Sequence, residues 1–313
     1  MAKIIRTVLG DISPKDLGLA FMHEHLIIDS PIVKKDFSHI HLPSVEDAIA
    51  ELLLCKSVGV GALLDCMPMG AGGNIRKLAE ISAGTGLHVI AVTGMHHARY
   101  YESTNPLNFA TSKELAEIFI GEIEVGSQGS EHRAGVIKVV TSGSEYSSHE
   151  RTLFEAAAIA HSETGAPVIT HCQDGRGAME QISLLHSLQV PSSSIILSHT
   201  DKEPDFGYHR DILSSGVYLE YDQGLRQSKD ANPKSVTLTR EMIKAGFLSQ
   251  IMMGTDGARR SLWQSLGGSP GLFFLNLGWR AKLQESGVSE QELHTIFNEN
   301  PARALGFKEL GKE

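Results

Sequence analysis

Eight short apolar segments, rich in β-branched residues, alternate along this chain with longer segments of helical patterning. The first ends at His25, and the others span residues 59–65, 88–94, 135–141, 167–171, 194–199, 217–222 and 251–256. Nearly continuous apolar strands are typical of a parallel sheet that is covered on both faces. Eight strand-helix units in one chain close most economically into a barrel. We therefore predict an α/β fold, a single (β/α)8 TIM barrel with its active site at the C-terminal ends of the strands.

The helical segments between these strands carry recognisable start signals. Ser44 has Glu46 and Asp47 in its first turn, and Ser289 is followed three residues later by Glu292, as in a capping box. The predicted helices span residues 44–56, 74–83, 113–123, 149–163, 177–188, 208–214, 234–245 and 289–298.

Length, charge and cysteine content narrow the classes of function. The 313 residues contain no linker or change in composition, so we expect one domain over residues 1–313. A net charge of −9 without a run of Lys and Arg argues against a nucleic-acid partner. The chain start lacks a signal-peptide pattern, and no apolar stretch has membrane-spanning length. Three cysteines without paired spacing fit a reducing cytoplasm, where we expect this protein to lie without a membrane partner.

Residues that can bind a metal stand where four of the predicted strands end. His23 and His25 end the first strand, His171 the fifth, His199 the sixth and Asp256 the eighth. Residues two apart on a strand share a face, so both histidines of the first strand should point the same way. The C-terminal ends of barrel strands converge on one mouth. Four imidazoles and a carboxylate there suit zinc or a neighbouring divalent transition metal.

Lys138 lies inside an apolar run of the fourth strand, where an unpaired ammonium is expensive to bury. Together with the four histidines, Asp256 and the closing segment Asn-Pro-Ala-Arg-Ala-Leu at 300–305, it resembles the phosphotriesterase family of the amidohydrolase superfamily. The resemblance spans nearly the whole chain, with every ligand position filled in order. It implies a carbamate on Lys138 that bridges two divalent metals. Zinc is expected, and manganese, cobalt or iron would also fit.

The same resemblance divides the ligands and assigns a mechanism. It implies that His23, His25 and Asp256 hold the more buried metal, and that His171 and His199 hold the outer one. Two divalent ions roughly 3.5–4 Å apart activate a shared water and polarise the substrate oxygen. A bridging hydroxide would then attack a carbonyl or phosphoryl centre, with Asp256 as the catalytic proton acceptor. A small-molecule substrate and a homodimer are implied as well.

Basic residues on two loops favour an anionic substrate. Arg226 and Lys229 follow the seventh strand, and Arg259 and Arg260 follow the eighth. Arginine suits bidentate binding of phosphate or carboxylate. We therefore expect these four residues to bind substrate, although one of the two adjacent arginines could instead brace its loop against a carboxylate.

Positions on the third and eighth loops bear on the kind of lactone. An arginine three residues after Asp256 resembles the branch of the family that hydrolyses phosphorylated sugar lactones, and Leu262 stands where that branch has a tyrosine. The lipophilic lactonases of the family place a tyrosine on the third loop, where this chain has His96. We expect His96 to contact the substrate.

The leading prediction is a binuclear metal-dependent hydrolase that opens an anionic or phosphorylated sugar lactone. A phosphotriesterase is the alternative enzyme, and a barrel that binds metal or ligand without catalysis is the alternative of another class. Three further residues carry structural expectations. Glu24 should face the helix layer, Asp65 should either orient a ligand histidine or make a structural hydrogen bond, and His209 should lie at the surface.

Overall fold

Parallel strands dominate the structure, a computed structural model that describes residues 2–143 and 145–308. Eight of its strands pair in chain order into one parallel sheet. The backbone amides of Thr255 and Asp256 donate to the carbonyl of His23 at 3.1 and 2.9 Å, which joins the end of the last strand to the first. This closure confirms the predicted (β/α)8 barrel. The strands of the barrel are β3 (Leu19–Glu24), β4 (Val60–Asp65), β5 (His88–Gly94), β6 (Val136–Thr141), β7 (Val168–Cys172), β8 (Ile195–Ser198), β9 (Tyr218–Tyr221) and β10 (Ile251–Met253).

Helices connect consecutive strands and cover the outside of the barrel. Seven of them agree with the predicted segments to within two residues at each end, because their caps and apolar faces are explicit in the sequence. No helix in the described ranges is long and apolar enough to cross a bilayer. The seven are α2 (Val45–Ser57), α3 (Ile75–Thr85), α4 (Ser112–Glu124), α5 (Ser148–Thr164), α6 (Ala178–Ser187), α7 (Phe206–Ser214) and α8 (Lys234–Lys244).

Four further helices depart from the prediction. α1 (Pro31–Asp36) and α9 (Gly278–Glu285) fall in segments that were not predicted as helical. The last predicted helix begins at its capping box as α10 (Glu290–His294). It then continues through a π-helical turn (Thr295–Glu299) into α11 (Asn300–Leu305).

A short antiparallel hairpin, β1 (Ile5–Thr7) and β2 (Gly10–Ile12), was not predicted and lies against the start of the barrel strands. Ile5 packs inside the barrel with Leu17 and Leu305. The amide of Val8 donates to the carbonyl of Val89 in β5 at 2.9 Å, and Ile4 pairs with Phe307 near the C-terminus. The hairpin thus plugs the end of the barrel opposite the predicted site.

Alternate residues of each strand fill the barrel interior in layers. The lower layers are apolar and include Ala62, Leu64, Ile90, Val92, Val136, Ile169, Ile196 and Met252. The inward positions that follow toward the strand ends are polar or small, among them Lys138, His171, Ser198, Glu220 and Gly254. The apolar layers therefore form a floor under a polar mouth.

Candidate active site

The mouth of the barrel holds a cavity of about 420 Å³. Its wall combines imidazoles, one carboxylate and several cationic side chains. The lining residues are His25, His39, Ile40, Met67, His96, Arg99, Tyr100, His171, Gln173, His199, Lys202, Gln223, Arg226, Asp256, Ala258 and Arg259.

A bulge in β3 directs the two histidines of the first strand into this mouth. Ala20 and Met22 face the inner core while Phe21 faces the outer one, so strict alternation would send His23 outward. Phe21 and Glu24 are paired with Leu63 and Asp65, which leaves one extra residue in β3. An extra residue in a bulge changes which face the following side chains occupy. The spacing makes His23 and His25 point the same way, and the bulge makes that direction the inward one.

Three predicted ligands form a compact group at the seam between the first and last strands. Ligand atoms of His23, His25 and Asp256 lie within 4.8 Å of one another. His25 Nε2 is 3.4 Å from Asp256 Oδ1, and the rings of His23 and His25 are 5.4 Å apart. The structure therefore brings together the residues that were expected to hold the buried metal.

His171 and His199 complete the cluster from the opposite side. Their ring centroids are 4.3 Å apart, and the ring of His199 is 4.6 Å from that of His23. His199 adopts a positive φ of 67°, a conformation that is rare for residues other than glycine. This backbone strain occurs where a histidine is turned toward a functional site. All four imidazoles therefore face one small volume.

Lys138 lies in the polar layer above the apolar floor, close to these histidines. Its side chain is 0% exposed, and Nζ has no hydrogen-bond partner among residues 2–143 and 145–308. An unpaired ammonium in such surroundings is strongly destabilising. The position therefore fits a lysine whose amine is modified or metal-linked better than it fits a free cation.

Burial keeps the histidines in the state that binds metals. It lowers the pKa of His23 and His171 well below the usual range, and neighbouring cationic groups lower it further. A neutral imidazole has a free lone pair, whereas a protonated one has none. These rings are consequently available as ligands at neutral pH.

Asp256 is held by an arginine from the seventh loop. Arg226 donates from Nη2 to Asp256 Oδ2 at 2.7 Å and to the Asp256 carbonyl at 2.9 Å, and from Nη1 to the Thr255 carbonyl at 3.1 Å. Although burial opposes ionisation of Asp256, Arg226 and nearby histidines lower its pKa well below the usual range. Arg226 thus faces the cavity with much of its donor capacity directed to Asp256.

The other predicted substrate residues fall into two groups. His96 and Arg259 line the cavity, and His96 is buried with its ring 5.4 Å from that of His171. Arg260 instead donates to the His41 carbonyl at 2.9 Å, so it braces the loop against backbone and not against a carboxylate. Lys229 is exposed and lies outside the lining, because the turn after Arg226 carries the chain away from the mouth. The structure therefore does not bring Arg260 and Lys229 into the site.

Several residues of the site were not identified from the sequence. Arg99 and Lys202 line the cavity, and Glu220 and Asp222 of the seventh strand lie next to two of the histidines. The two carboxylates could have been identified from the sequence, because acidic residues inside an apolar strand that faces a metal site need a partner. For the two cations there was none, because surface loops are commonly basic.

The structural expectations for three residues had different outcomes. Glu24 is buried on the outer face of β3, the side of the helix layer, as predicted, and it accepts hydrogen bonds from the amide and hydroxyl of Thr255 at the end of strand eight. Asp65 has the second of its two predicted roles, a structural one. Its carboxylate accepts hydrogen bonds from the amides of Leu26 at 2.6 Å and Met67 at 3.0 Å. The surface prediction for His209 was wrong, because its ring is buried against Tyr221 Oη at 2.9 Å.

Comparison with known proteins gives consistent matches over the whole barrel. A sequence profile of the phosphotriesterase family matches residues 3–305. An aryldialkylphosphatase of Saccharolobus solfataricus is 28% identical over 306 residues, which cover 93% of this chain and 96% of that protein. A phospho-furanose lactonase of Mycoplasmopsis synoviae is 27% identical over 328 residues, covering 98% and 93%. The crystal structure of a lactonase from Listeria monocytogenes gives a TM-score of 0.91 at 26% identity, covering 98% of this chain and all of that one.

Proposed function

Because this chain belongs to the phosphotriesterase family, whose members are metal-dependent hydrolases, we propose that it opens a lactone that carries a phosphate or carboxylate group. The observation that carries this proposal is the composition of the mouth. Metal-ligand side chains meet there in one cavity with the cationic side chains of Arg99, Lys202, Arg226 and Arg259. Arg226 is largely engaged by Asp256, but within the described residues the other three cations are free to attract an anionic group of the substrate, which a neutral substrate would lack.

The residues that would hold the metals follow the predicted division. His23, His25 and Asp256 would bind the buried ion, and His171 and His199 would bind the outer one, with zinc the expected metal. The Lys138 amine would add to carbon dioxide through nitrogen and lose a proton, and the resulting carbamate would offer its oxygens as further metal ligands. This modification removes the cost of an unpartnered buried amine. The bound metal pair would supply an activated water and polarise the lactone carbonyl.

The remaining roles belong to side chains of this chain. Asp256 would keep one oxygen toward the metal, as its position 3.4 Å from His25 Nε2 indicates. It would accept a proton from the attacking water and pass it to the leaving oxygen. Arg226 would hold the carboxylate ionised and in place through the 2.7 Å contact to Oδ2. His96 would form the wall of the cavity on the side of the outer metal.

Two observations support the anionic lactone over the other family substrates. The phospho-furanose lactonase named above is similar over nearly the full length of this chain. Arg259 also reaches the cavity and makes no side-chain hydrogen bond with the described part of the chain, so its guanidinium is available to a ligand. The aryldialkylphosphatase relative makes a phosphotriesterase the second candidate.

A substrate panel tests the proposal. Sugar lactones, their 5-phosphates, acyl-homoserine lactones and paraoxon would be assayed with the metal-loaded protein. We expect the highest kcat/KM for a phosphorylated lactone. Activity confined to paraoxon would contradict the proposal in favour of a phosphotriesterase. About two bound metal equivalents without turnover of any compound would favour a barrel that binds metal or ligand and does not catalyse.

Two adjacent arginines provide a matched test of anion recognition. Arg259 lines the cavity, whereas Arg260 binds the His41 carbonyl outside it. Loss of a charge-assisted hydrogen bond should cost R259A roughly 10- to 100-fold in kcat/KM for the phosphorylated substrate. The same variant should change kcat/KM for the unphosphorylated lactone much less. R260A should retain the preference for phosphate, and an equal effect of both variants would contradict the assignment of Arg259.

A further inference from the structure

Two carboxylates on the seventh strand lie directly behind the proposed metal ligands. Glu220 and Asp222 are two residues apart, so they project from the same, inward face of β9 and its end. Both side chains are fully buried. The packing of the apolar floor does not require either side chain. Burying an acidic group costs free energy unless the group is paired, so both residues need partners.

Asp222 meets the histidine at the end of the preceding strand. Asp222 Oδ2 lies 2.5 Å from His199 Nδ1 and accepts a hydrogen bond from the His199 amide at 3.0 Å. The side chain of Gln223 donates to the other oxygen at 2.5 Å. The amide of Asp222 itself donates to Asp201 Oδ1 at 3.2 Å, and Ser235 Oγ donates to Asp201 Oδ2 at 2.8 Å. Asp222 is therefore fixed from several sides while it faces one imidazole nitrogen.

Glu220 meets a different histidine across the last strand. Glu220 Oε2 lies 3.3 Å from His23 Nδ1, and neither atom makes a hydrogen bond of good geometry within residues 2–143 and 145–308. Gly254 of the eighth strand lies between the two residues. A Cβ at this position would stand 2.6 Å from Glu220 Oε1 and 2.5 Å from the His23 amide nitrogen. The missing side chain at residue 254 is thus what allows Glu220 to reach His23.

We propose that Glu220 and Asp222 are positioning residues, one for each metal: Asp222 orients His199 on the outer ion, and Glu220 orients His23 on the buried ion. Each carboxylate lies beside Nδ1 of its histidine, at 2.5 Å for Asp222 and 3.3 Å for Glu220, where it would accept an Nδ1–H, fix the tautomer and leave Nε2 to bind the metal. Histidine ligands commonly donate their second N–H to a carboxylate, and such partners set ring orientation and basicity. The inference rests on the dimetal centre of the proposed function.

The division between the two ions makes the proposal testable by metal binding. Purified wild type, D222N and E220Q would be stripped of metal and titrated with Co²⁺, with the visible spectrum and chelator competition as readouts. We expect each variant to lose affinity by roughly 10- to 100-fold for one of the two equivalents while the other keeps its wild-type affinity. The Co²⁺ band that weakens should differ between D222N and E220Q.

A matched control separates positioning from general loss of a buried acid. Glu122 is also a buried glutamate, but it accepts a hydrogen bond from the Thr93 hydroxyl and, within the described residues, makes no hydrogen bond or ion pair with a histidine. E122Q should bind both equivalents as the wild type does. If E220Q does not fold, E220D preserves the charge, and the shorter reach should still weaken only the buried site.

Three outcomes would decide against the inference or against its premise. Wild-type affinity for both equivalents in D222N and E220Q would overturn the positioning roles. Loss of the same equivalent in both variants would overturn their division, as would a spectrum showing Asp222 itself as a ligand. A wild type that binds no metal would instead refute the proposed function on which the inference rests.

Discussion

Lys138 is the residue of this site whose burial is hardest to explain without a modification or a metal. A free ammonium at its position would be fully buried and, within the described residues, without a partner. The surrounding histidines cannot neutralise it, because an imidazole is either neutral or cationic, and burial keeps His23 and His171 neutral. The proposed carbamate would replace the buried ammonium with an anion that binds the two metal cations. The same residue would be unexplained in a barrel that binds only a neutral ligand.

The first residue-scale prediction concerns Asp256. D256N keeps an oxygen for the buried metal but removes the carboxylate that would accept the proton. We expect it to retain most of its bound metal and to lose kcat by roughly 100-fold or more, the range of general acid-base contributions. Metal analysis and kcat would be measured on one preparation, with D230N, an exposed loop variant, as the control. A near wild-type rate with full metal content would contradict the role of Asp256.

A second prediction concerns Glu122, away from the metals. Burial raises the pKa of Glu122 to about 7. Because the folded state holds this proton more tightly than the unfolded state, raising the pH from about 4.5 to 7 lowers the free energy of unfolding. Above pH 7 the free energy of unfolding should be lower than below pH 4.5 by about 3 kcal/mol. E122Q should therefore be more stable than wild type at pH 8 and similar to it at pH 4.5 in urea titrations. An equal difference at both pH values would contradict this account.

The residues that cluster at the barrel mouth were predictable individually, but their partners were not. Histidines and an aspartate at strand ends predict a metal site, because few other residue types bind metals and the barrel fold brings strand ends together. The contact of Arg226 with Asp256 and of Glu220 with His23 depends on loop conformation and on the absence of a side chain at Gly254. Such contacts between distant segments leave no local pattern in the sequence.

At the scale of elements, strands and most helices were predictable because their signals are local. The strands of a parallel barrel are continuous apolar runs, and seven helices agree with prediction to within two residues. The hairpin of β1 and β2 was missed because its strands are only three residues each. The bulge in β3 was missed because it depends on pairing with β4.

Gly254 provides the prediction at this scale. In G254A the new Cβ would meet the His23 backbone nitrogen at 2.5 Å, which is fixed by the seam between β3 and β10. We expect destabilisation of roughly 1–3 kcal/mol, as for overpacking, together with weaker metal binding. G121A is the matched control, because its Cβ would lie in open space on α4. Helix propensity should make that variant neutral or slightly more stable. Equal unfolding midpoints for the two variants would contradict the role of Gly254.

At the scale of the whole molecule, the family resemblance predicts a homodimer. The chain has a mass of 33.9 kDa, so sedimentation equilibrium should give about twice that value. The measurement should be repeated after removal of metal, because the site lies within one barrel and does not require the partner. A monomer at micromolar concentration would contradict the expected assembly without affecting the proposed chemistry.

The central claim is that six side chains from five strands hold two cations, with Lys138 carboxylated between them. A crystal structure of protein grown with zinc and bicarbonate, with anomalous data at the zinc edge, tests this most directly. The account predicts two anomalous peaks roughly 3.5–4 Å apart at the barrel mouth. Density for a carboxylate should also extend from Lys138 Nζ between them. A single peak or none, with Lys138 unmodified, would contradict the claim.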